Sequence, residues 1–308
     1  GFDIGFENAG FEVVWANDFD KYAVETYKAN VGKHIVLGDI RTEKENIPEH
    51  DVLIGGFPCQ PFSTLGKLQG FEDEAGRGTL FFEIKEIIKK HKTKVVVLEN
   101  VKNIMNHDEG KTFKRIIHEL ESLGYVCFNH VFNSADYGVP QRRNRCYIVA
   151  FLGEYMNTPE FIFLPKQELK VTTQDLLDEN VEEKYFLTKK IYPTIMGNGT
   201  KNYIVTPTID LPISKTLTAT MAKMHRASQD NYFTDNINSV GISESKSNIR
   251  KLTPNECRKL QGFPSDWKQV VSDTQAYKQF GNAVTVDVSY NVAKNLMNYI
   301  DENGKMGD

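Results

Sequence analysis

The chain lacks any long apolar run. Its longest are pieces such as VVVL (95–98) and YIVAFL (147–152), far short of the ~20 consecutive apolar residues that a membrane-spanning helix needs, so no such span is expected. Cysteine is scarce: Cys59, Cys127, Cys146 and Cys257 are the four in 308 residues. Their spacings fit neither a disulfide scaffold nor a metal-ligand set, which suits a reducing cytoplasm and a site without metal. The opening residues GFDIGFENAGF have no basic lead, apolar core or small-residue cleavage site, so no secretory leader is expected. Charge of one sign is lacking too. With 37 Lys and Arg against 41 Asp and Glu, the net charge of −4 offers no global attraction for nucleic acid. The basic residues are nonetheless uneven: QRRNR (141–145), KMHR (223–226) and SNIRKL (247–252) form either a local positive face or solvated patches.

What is present is alternation. FDIGFENAG reads as a short helix, EVVWAND as a strand, DKYAVETYKAN as a helix and DVLIGGF as a strand. LFFEIKEIIKKH (80–91) repeats apolar positions at helical spacing, KVVVLEN (94–100) is a buried parallel strand, and FKRIIHELESLG (113–124) is a helix closed by glycine. YVCFNHVFNSADYG and RCYIVAFL supply later strands. This order predicts a mostly parallel α/β sheet covered by helices on both faces, with ligands bound outside the carboxyl ends of the strands.

Polar residues mark several of those ends. Asn17 and Asp18 follow VVWA, Asp39 closes IVLGD, Pro58 and Cys59 follow DVLIGG, and Glu99 and Asn100 follow VVVL. Cys59 stands between prolines in GGFPCQPFS, a stiff turn that holds a thiol at a loop tip, whereas Cys127, Cys146 and Cys257 fall in apolar strand or helix patterns and read as packing residues. Glu99 is either a hydrogen-bond organiser or an acid, and a thiol on a second strand end favours the acid. Asp18 either caps the following helix or accepts from a ribose. Asp39 is either a turn residue or an acceptor for an exocyclic amine. Strand alternation sends Arg143 and Arg145 to one face and Arg142 to the other, so that two guanidiniums converge on a phosphate or substrate oxygen, unless they are ordinary surface pairs. The glycine- and charge-rich segment 60–79 is either a covering lid or an inert connection.

Together these residues resemble the DNA (cytosine-5)-methyltransferases of bacterial restriction-modification systems. Five motifs occur in that family's order: GGFPCQPFS, LENV (98–101), QRRNR, RKLTPNECRKLQGFP (250–264) and YKQFGNAV (277–284). They cover the chain except for roughly residues 165–249, where the family varies. The resemblance implies a Rossmann-like methyltransferase sheet and S-adenosylmethionine as methyl donor, with S-adenosylhomocysteine as product. It implies that Cys59 adds to C6 of a flipped cytosine and that Glu99, Arg143 and Arg145 complete the catalytic set. Asp18, Phe19, Asp39, Ile40, Pro58 and Asn282 would hold the cofactor. Pro58, Ser63, Arg77, Asn100, Val101 and Thr216 would meet the substrate. The family opens with a strand and a cofactor loop, of which GFDIGFENAGF looks like the tail, so the first strand is expected to precede Gly1 in the full protein.

Beyond Lys170 the pattern changes. TTQDLLDENVEEKYFLT has an acidic helical character, followed by short β-prone runs broken by Gly, Asn and Pro. The expected division is a catalytic and cofactor domain of residues 1–168 and 270–308, and a smaller β-rich target-recognition domain with its hinge at 169–269. Thr216 and Leu217 match a pair in the family's recognition domain, while Lys223, His225, Arg226 and Gln229 are groove contacts or plain surface. VDVSYNVAKNLMNYI (286–300) reads as the final helix. The expected partner is double-stranded DNA, read by a cytoplasmic monomer that protects host DNA from a cognate endonuclease. A transfer-RNA cytosine-5 methyltransferase is the nearest alternative. A noncatalytic DNA binder is a more distant one, since it leaves Cys59 and Glu99 without a joint role.

Overall fold

The computed structural model describes residues 1–58, 80–156, 160–200 and 202–303. The chain divides into two compact units, one of residues 2–132, 144–165 and 290 onward, the other of Gly1, 133–143 and 166–289.

The first unit is a mixed α/β assembly. It opens with α1 (Phe2–Asn8), β1 (Ala16–Asp18), α2 (Lys21–Asn30), β2 (Ile35–Leu37), α3 (Ile40–Glu43) and β3 (Val52–Gly56). It continues through α4 (Leu80–His91), β4 (Val95–Val101), α5 (Lys111–Glu121) and β5 (Tyr125–Asn133). The chain then makes β6 (Gln141–Arg142), which belongs to the second unit, and returns as β7 (Asn144–Leu152). The central sheet has the order β3-β4-β7-β5, and β1 and β2 form a separate parallel pair. β3 and β4 are parallel, but β7 is antiparallel to β4, so the sheet is mixed where the sequence suggested a mostly parallel one. The cause is the short link 134–143 between β5 and β7, because a parallel return needs a crossover of about a dozen residues or more.

The apolar run of β4 is buried on both faces: Val95, Val96, Val97 and Leu98 are at most 1% exposed. Phe81 and Ile88 of α4, Ile116 and Leu120 of α5, and Ile148 of β7 close over Val96 and Leu98 in one cluster. Burial of each such side chain contributes about 1.5–3 kcal/mol. This core fixes the carboxyl ends of β3 and β4, on which the site is built.

The second unit contains β8 (Phe186–Thr188), α6 (Tyr192–Ile195), a hairpin of β9 (Gly199–Thr200) and β10 (Tyr203–Ile204), and β11 (Ser214–Lys215). β12 (Tyr232–Thr234), β13 (Lys246–Lys251), α7 (Pro254–Leu260) and α8 (Asp273–Asn282) follow, and α9 (Val286–Asn303) begins here and ends in the first unit. β12, β13 and β8 make an antiparallel sheet, and β11 pairs parallel with β6.

The acidic stretch before β8 is not the helix its composition suggested. It forms only short 3-10 turns at Gln174–Leu176 and Glu183–Tyr185. Its carboxylates are used elsewhere: Asp175 accepts from the Thr172 amide and hydroxyl, and Asp178 accepts from Thr253, Asn255 and Lys259. Such bonds compete with helix formation.

At the start of α7, Thr253 and Glu256 form a reciprocal capping box. Glu256 also takes two bonds from Arg250, at 2.9 and 2.8 Å, while Arg250 Nε donates to Asp235 at 2.6 Å. Both members of the Arg250–Glu256 pair have side chains only 1% exposed. Removing one partner strands a buried charge. Glu256→Ala is therefore expected to lower the unfolding free energy by about 3–5 kcal/mol in urea titration. A loss below about 1 kcal/mol would show that the pair does not hold this unit together.

Candidate active site

Glu99 sits where β3 and β4 run side by side, opposite Gly56, the last residue of β3, in the parallel register. Asn100 is buried, and its Nδ2 donates to the Phe57 carbonyl at 2.8 Å while its Oδ1 accepts from the Val101 amide at 2.9 Å. This side chain ties Phe57, just after β3, to the end of β4. Pro58 is exposed there. Cys59, Ser63 and Arg77, with the proposed lid at 60–79, lie outside the described residues.

Glu99 is held by Arg145. Its Oε1 lies 2.9 Å from Arg145 Nε, and the two side chains are 13% and 17% exposed. Arg145 reaches it from β7, where it stands opposite Val101 in the antiparallel register, and its own Nη1 donates to the Asn144 carbonyl. A carboxylate fixed in this way offers an oriented acceptor to a planar donor edge. Cys127, Cys146 and Cys257 are unsuited to nucleophilic work. Burial pushes the first two thiols up to about 12 and that of Cys257 well above the ordinary range. None of these three is a thiolate at neutral pH.

A second group of candidates stands at the ends of β1 and β2. Gly38 donates to the Asp18 carbonyl at 3.1 Å, and Asn17 Nδ2 donates to the carbonyls of Val36 and Gly38 at 3.1 and 3.0 Å. Asp18 Oδ1 accepts from the Asp20 amide at 2.8 Å, and Asp20, not Asp18, is the N-cap of α2. Asp39 caps α3 through the Arg41 amide and is exposed, with Ile40 half-buried behind it. Phe19 is 81% exposed. An exposed aromatic side chain next to Asp18, on a strand paired with the one that leads to Asp39, suits an adenosyl group, with a ring to stack on and acceptors for hydroxyl and amine donors. Among the described residues no cluster of three or more His, Cys, Asp or Glu could hold a metal ion.

Arg143 departs from its expected place. It sits in the break between β6 and β7, where its amide donates to the Gln141 carbonyl, so strand alternation with Arg145 fails. It is 2% exposed and donates to three main-chain carbonyls: Leu217 at 3.0 Å, Gly281 at 3.1 Å and Ala283 at 2.7 Å. Arg145 instead meets a carboxylate, so the two guanidiniums serve different partners.

Around Arg143 runs a buried polar network that the sequence did not reveal. Gln141 accepts from the Leu217 amide and donates to the Leu260 carbonyl, Gln261 donates to the Phe280 carbonyl, and Thr285 joins Gln261 to Ser134. Thr216, beside Leu217, donates to the Arg142 carbonyl at 2.7 Å, and Asn282 is exposed at the end of α8. The one available signal was glutamine and threonine set among apolar neighbours.

The family model for C-5 cytosine-specific DNA methylase matches residues 1–298. The Type II methyltransferase M.SsoII of Shigella sonnei is 39% identical, over 98% of this chain and 78% of its own length. M.HhaI of Haemophilus parahaemolyticus is 37% identical, over 96% of this chain and 90% of its own. Among solved structures, the Entamoeba histolytica methyltransferase EhMeth has a TM-score of 0.72 at 20% identity, covering 99% of this chain and 95% of that one. A Spodoptera frugiperda DNMT2 mutant has a TM-score of 0.73 at 20% identity, covering 96% of each chain. These two likenesses show the fold alone. The strand-end carboxylate, the exposed aromatic beside acidic side chains and the match along nearly the whole sequence agree: the chain belongs to the C-5 cytosine-specific DNA methylases, S-adenosylmethionine-dependent enzymes that methylate cytosine at C5 at specific sites in DNA.

Proposed function

We propose that this protein methylates a flipped cytosine in duplex DNA with Cys59 as nucleophile and Glu99 as the group that holds the base. The observation that carries the proposal is the placement of Glu99, fixed by Arg145 next to Asn100, which ties down the chain at Phe57. The C5 carbon of cytosine is a poor nucleophile because its electrons belong to the aromatic ring. Attack of the Cys59 thiolate forms an S–C6 bond and pushes an electron pair toward C5, which can then take a methyl group. Glu99 orients the N3 and amine edge and favours protonation at N3 as charge develops there. Arg145 keeps that carboxylate aimed. Bound S-adenosylmethionine supplies an electrophilic methyl on a sulfonium. Loss of the C5 proton then expels the Cys59 sulfur and restores the ring.

Phe19, Asp18, Asp39 and Ile40 form the adenosyl end of the cofactor site, with Pro58 completing it in the same unit. Asn100, Val101, Ser63, Arg77 and Thr216 serve the DNA. The reactive ring edge is hidden in a duplex, so the base must leave the stack. Residues 169–269 form a target-recognition domain with its hinge, and the enzyme acts as a monomer in the cytoplasm, protecting host DNA from a cognate endonuclease.

Three expected outcomes follow from these roles. Cys59→Ser abolishes methyl transfer in a radiolabel assay on duplex DNA while the melting temperature stays near that of the parent; near-normal turnover would contradict a covalent mechanism. Glu99→Gln lowers kcat by about 10²–10⁴-fold with DNA affinity nearly unchanged, and a loss of binding alone would contradict its role. Arg143 and Arg145 separate by readout. Arg143→Met removes the guanidinium donors to three main-chain carbonyls and lowers stability in urea by roughly 3 kcal/mol, whereas Arg145→Met lowers kcat with a smaller stability loss. The reverse order would exchange their assignments.

A further inference from the structure

β1 and β2 are three residues each, and their register is Ala16 to Ile35, Asn17 to Val36 and Asp18 to Leu37. So short a pair specifies its own register weakly, yet a slip of one residue would turn every side chain to the other face. Asp18 and Phe19 on one strand end would then lose their alignment with Asp39 on the other. Asn17 secures the carboxyl end through its two bonds to β2 carbonyls. At the amino end the first rung is the bond from the Ala16 amide to the His34 carbonyl, at 3.2 Å.

His34 is itself anchored. Its Nε2 lies 2.7 Å from the Tyr27 hydroxyl, the two rings meet edge to face with centroids 5.4 Å apart, and Tyr27 donates to Asp3 Oδ2 at 2.5 Å. Burial and the Asp3 carboxylate push the Tyr27 pKa up, so the hydroxyl keeps its proton and donates it toward Asp3. His34 must then present an N–H at Nε2 to the tyrosine oxygen. The turn wraps the ring closely, since a Cβ on Gly32 would fall 2.4 Å from His34. Asp3 lies on α1, Tyr27 on α2 and His34 just before β2. One hydroxyl therefore links the helix that opens the chain, the helix between the strands and the start of the second strand.

We propose that Tyr27 is a positioning residue for S-adenosylmethionine: with Asp3 and His34 it pins the amino end of the β1–β2 pair and so sets the spacing of Asp18 and Phe19 from Asp39. This rests on the reading of those three residues as the adenosyl site. Tyr27 acts from the end of the pair opposite Phe19 and Asp39, so its loss weakens cofactor binding without altering the groups that perform the chemistry.

The test is calorimetric titration of S-adenosylmethionine and S-adenosylhomocysteine into Tyr27→Phe, with steady-state kinetics on duplex DNA. Tyr27→Phe keeps the ring packed on His34 and removes only the hydroxyl. The expected result is about a tenfold rise in Kd for both ligands, a matching rise in KM for the cofactor, and kcat at saturating cofactor and KM for DNA within about twofold of the parent. Asp3→Asn, which retains an acceptor oxygen, keeps near-parental affinity, whereas Asp3→Ala, which leaves Tyr27 intact, reproduces the loss. Phe19→Ala is the control. If Phe19→Ala leaves cofactor affinity unchanged, the adenosyl reading fails and this proposal with it. If Phe19→Ala weakens binding while Tyr27→Phe and Asp3→Ala do not, the pinning role alone is overturned. A parallel fall in cofactor affinity, DNA affinity, kcat and melting temperature would also overturn it, showing a general loss of fold.

Discussion

Arg143 is a buried cation that faces main-chain carbonyls. Its guanidinium binds Leu217, Gly281 and Ala283, residues far from it and partly from one another in the chain. Taking a charge out of water costs several kcal/mol, and that cost is offset only by well-placed partners, which here are the three carbonyls that meet Nη1 and Nη2. The second unit thus gains from this residue only when the 141–143, 217 and 281–283 segments are assembled together. Gly281 shows how closely they meet: a Cβ there would lie 2.2 Å from the Thr218 carbonyl carbon and 2.3 Å from the Ala219 nitrogen. No other residue type lets α8 approach the main chain after Leu217 in this way. The Gln141–Gln261–Thr285–Ser134 bonds continue the same fastening.

Two positions further along, Arg145 does a different job in the first unit. It leaves the break after β6, enters β7 and pairs with Glu99. One short arginine-rich run therefore supplies both the fastener of the segment bearing Thr216 and Leu217 and the partner of the strand-end carboxylate. The division depends on the backbone, because Arg143 lies outside a strand and Arg145 lies inside one.

Much of this was legible in the sequence, and the exceptions share a cause. The apolar run 95–98, the helical spacing in 80–91 and 286–300, and the polar strand ends at Asp18, Asp39 and Glu99 are local patterns, and the elements form where those patterns place them. Glu99 alone was open to two readings, a hydrogen-bond organiser or an acid, and only the cysteine after a second strand favoured the acid. Arg143 was misplaced because alternation presumes an unbroken strand. The acidic stretch before β8 was misread because composition does not reveal that Asp178 bonds to Thr253, 75 residues away. Tyr27 went unnoticed for the same reason: its partners Asp3 and His34 lie outside α2, 24 and 7 residues off. Periodicity reports what an element buries, whereas these residues matter for what they reach.

The central claim is that Cys59, which follows β3 in the sequence, and Glu99 of β4 act together on a flipped cytosine. The most direct measurement is incubation of the protein with duplex DNA containing 5-fluorocytosine at its target site and radiolabelled S-adenosylmethionine, followed by denaturing electrophoresis and peptide mapping. Fluorine at C5 cannot leave as a proton does, so the account predicts a stable adduct that carries the label and maps to Cys59. Absence of an adduct from folded protein shown to bind both cofactor and target DNA, or an adduct mapped to a different residue, would contradict it.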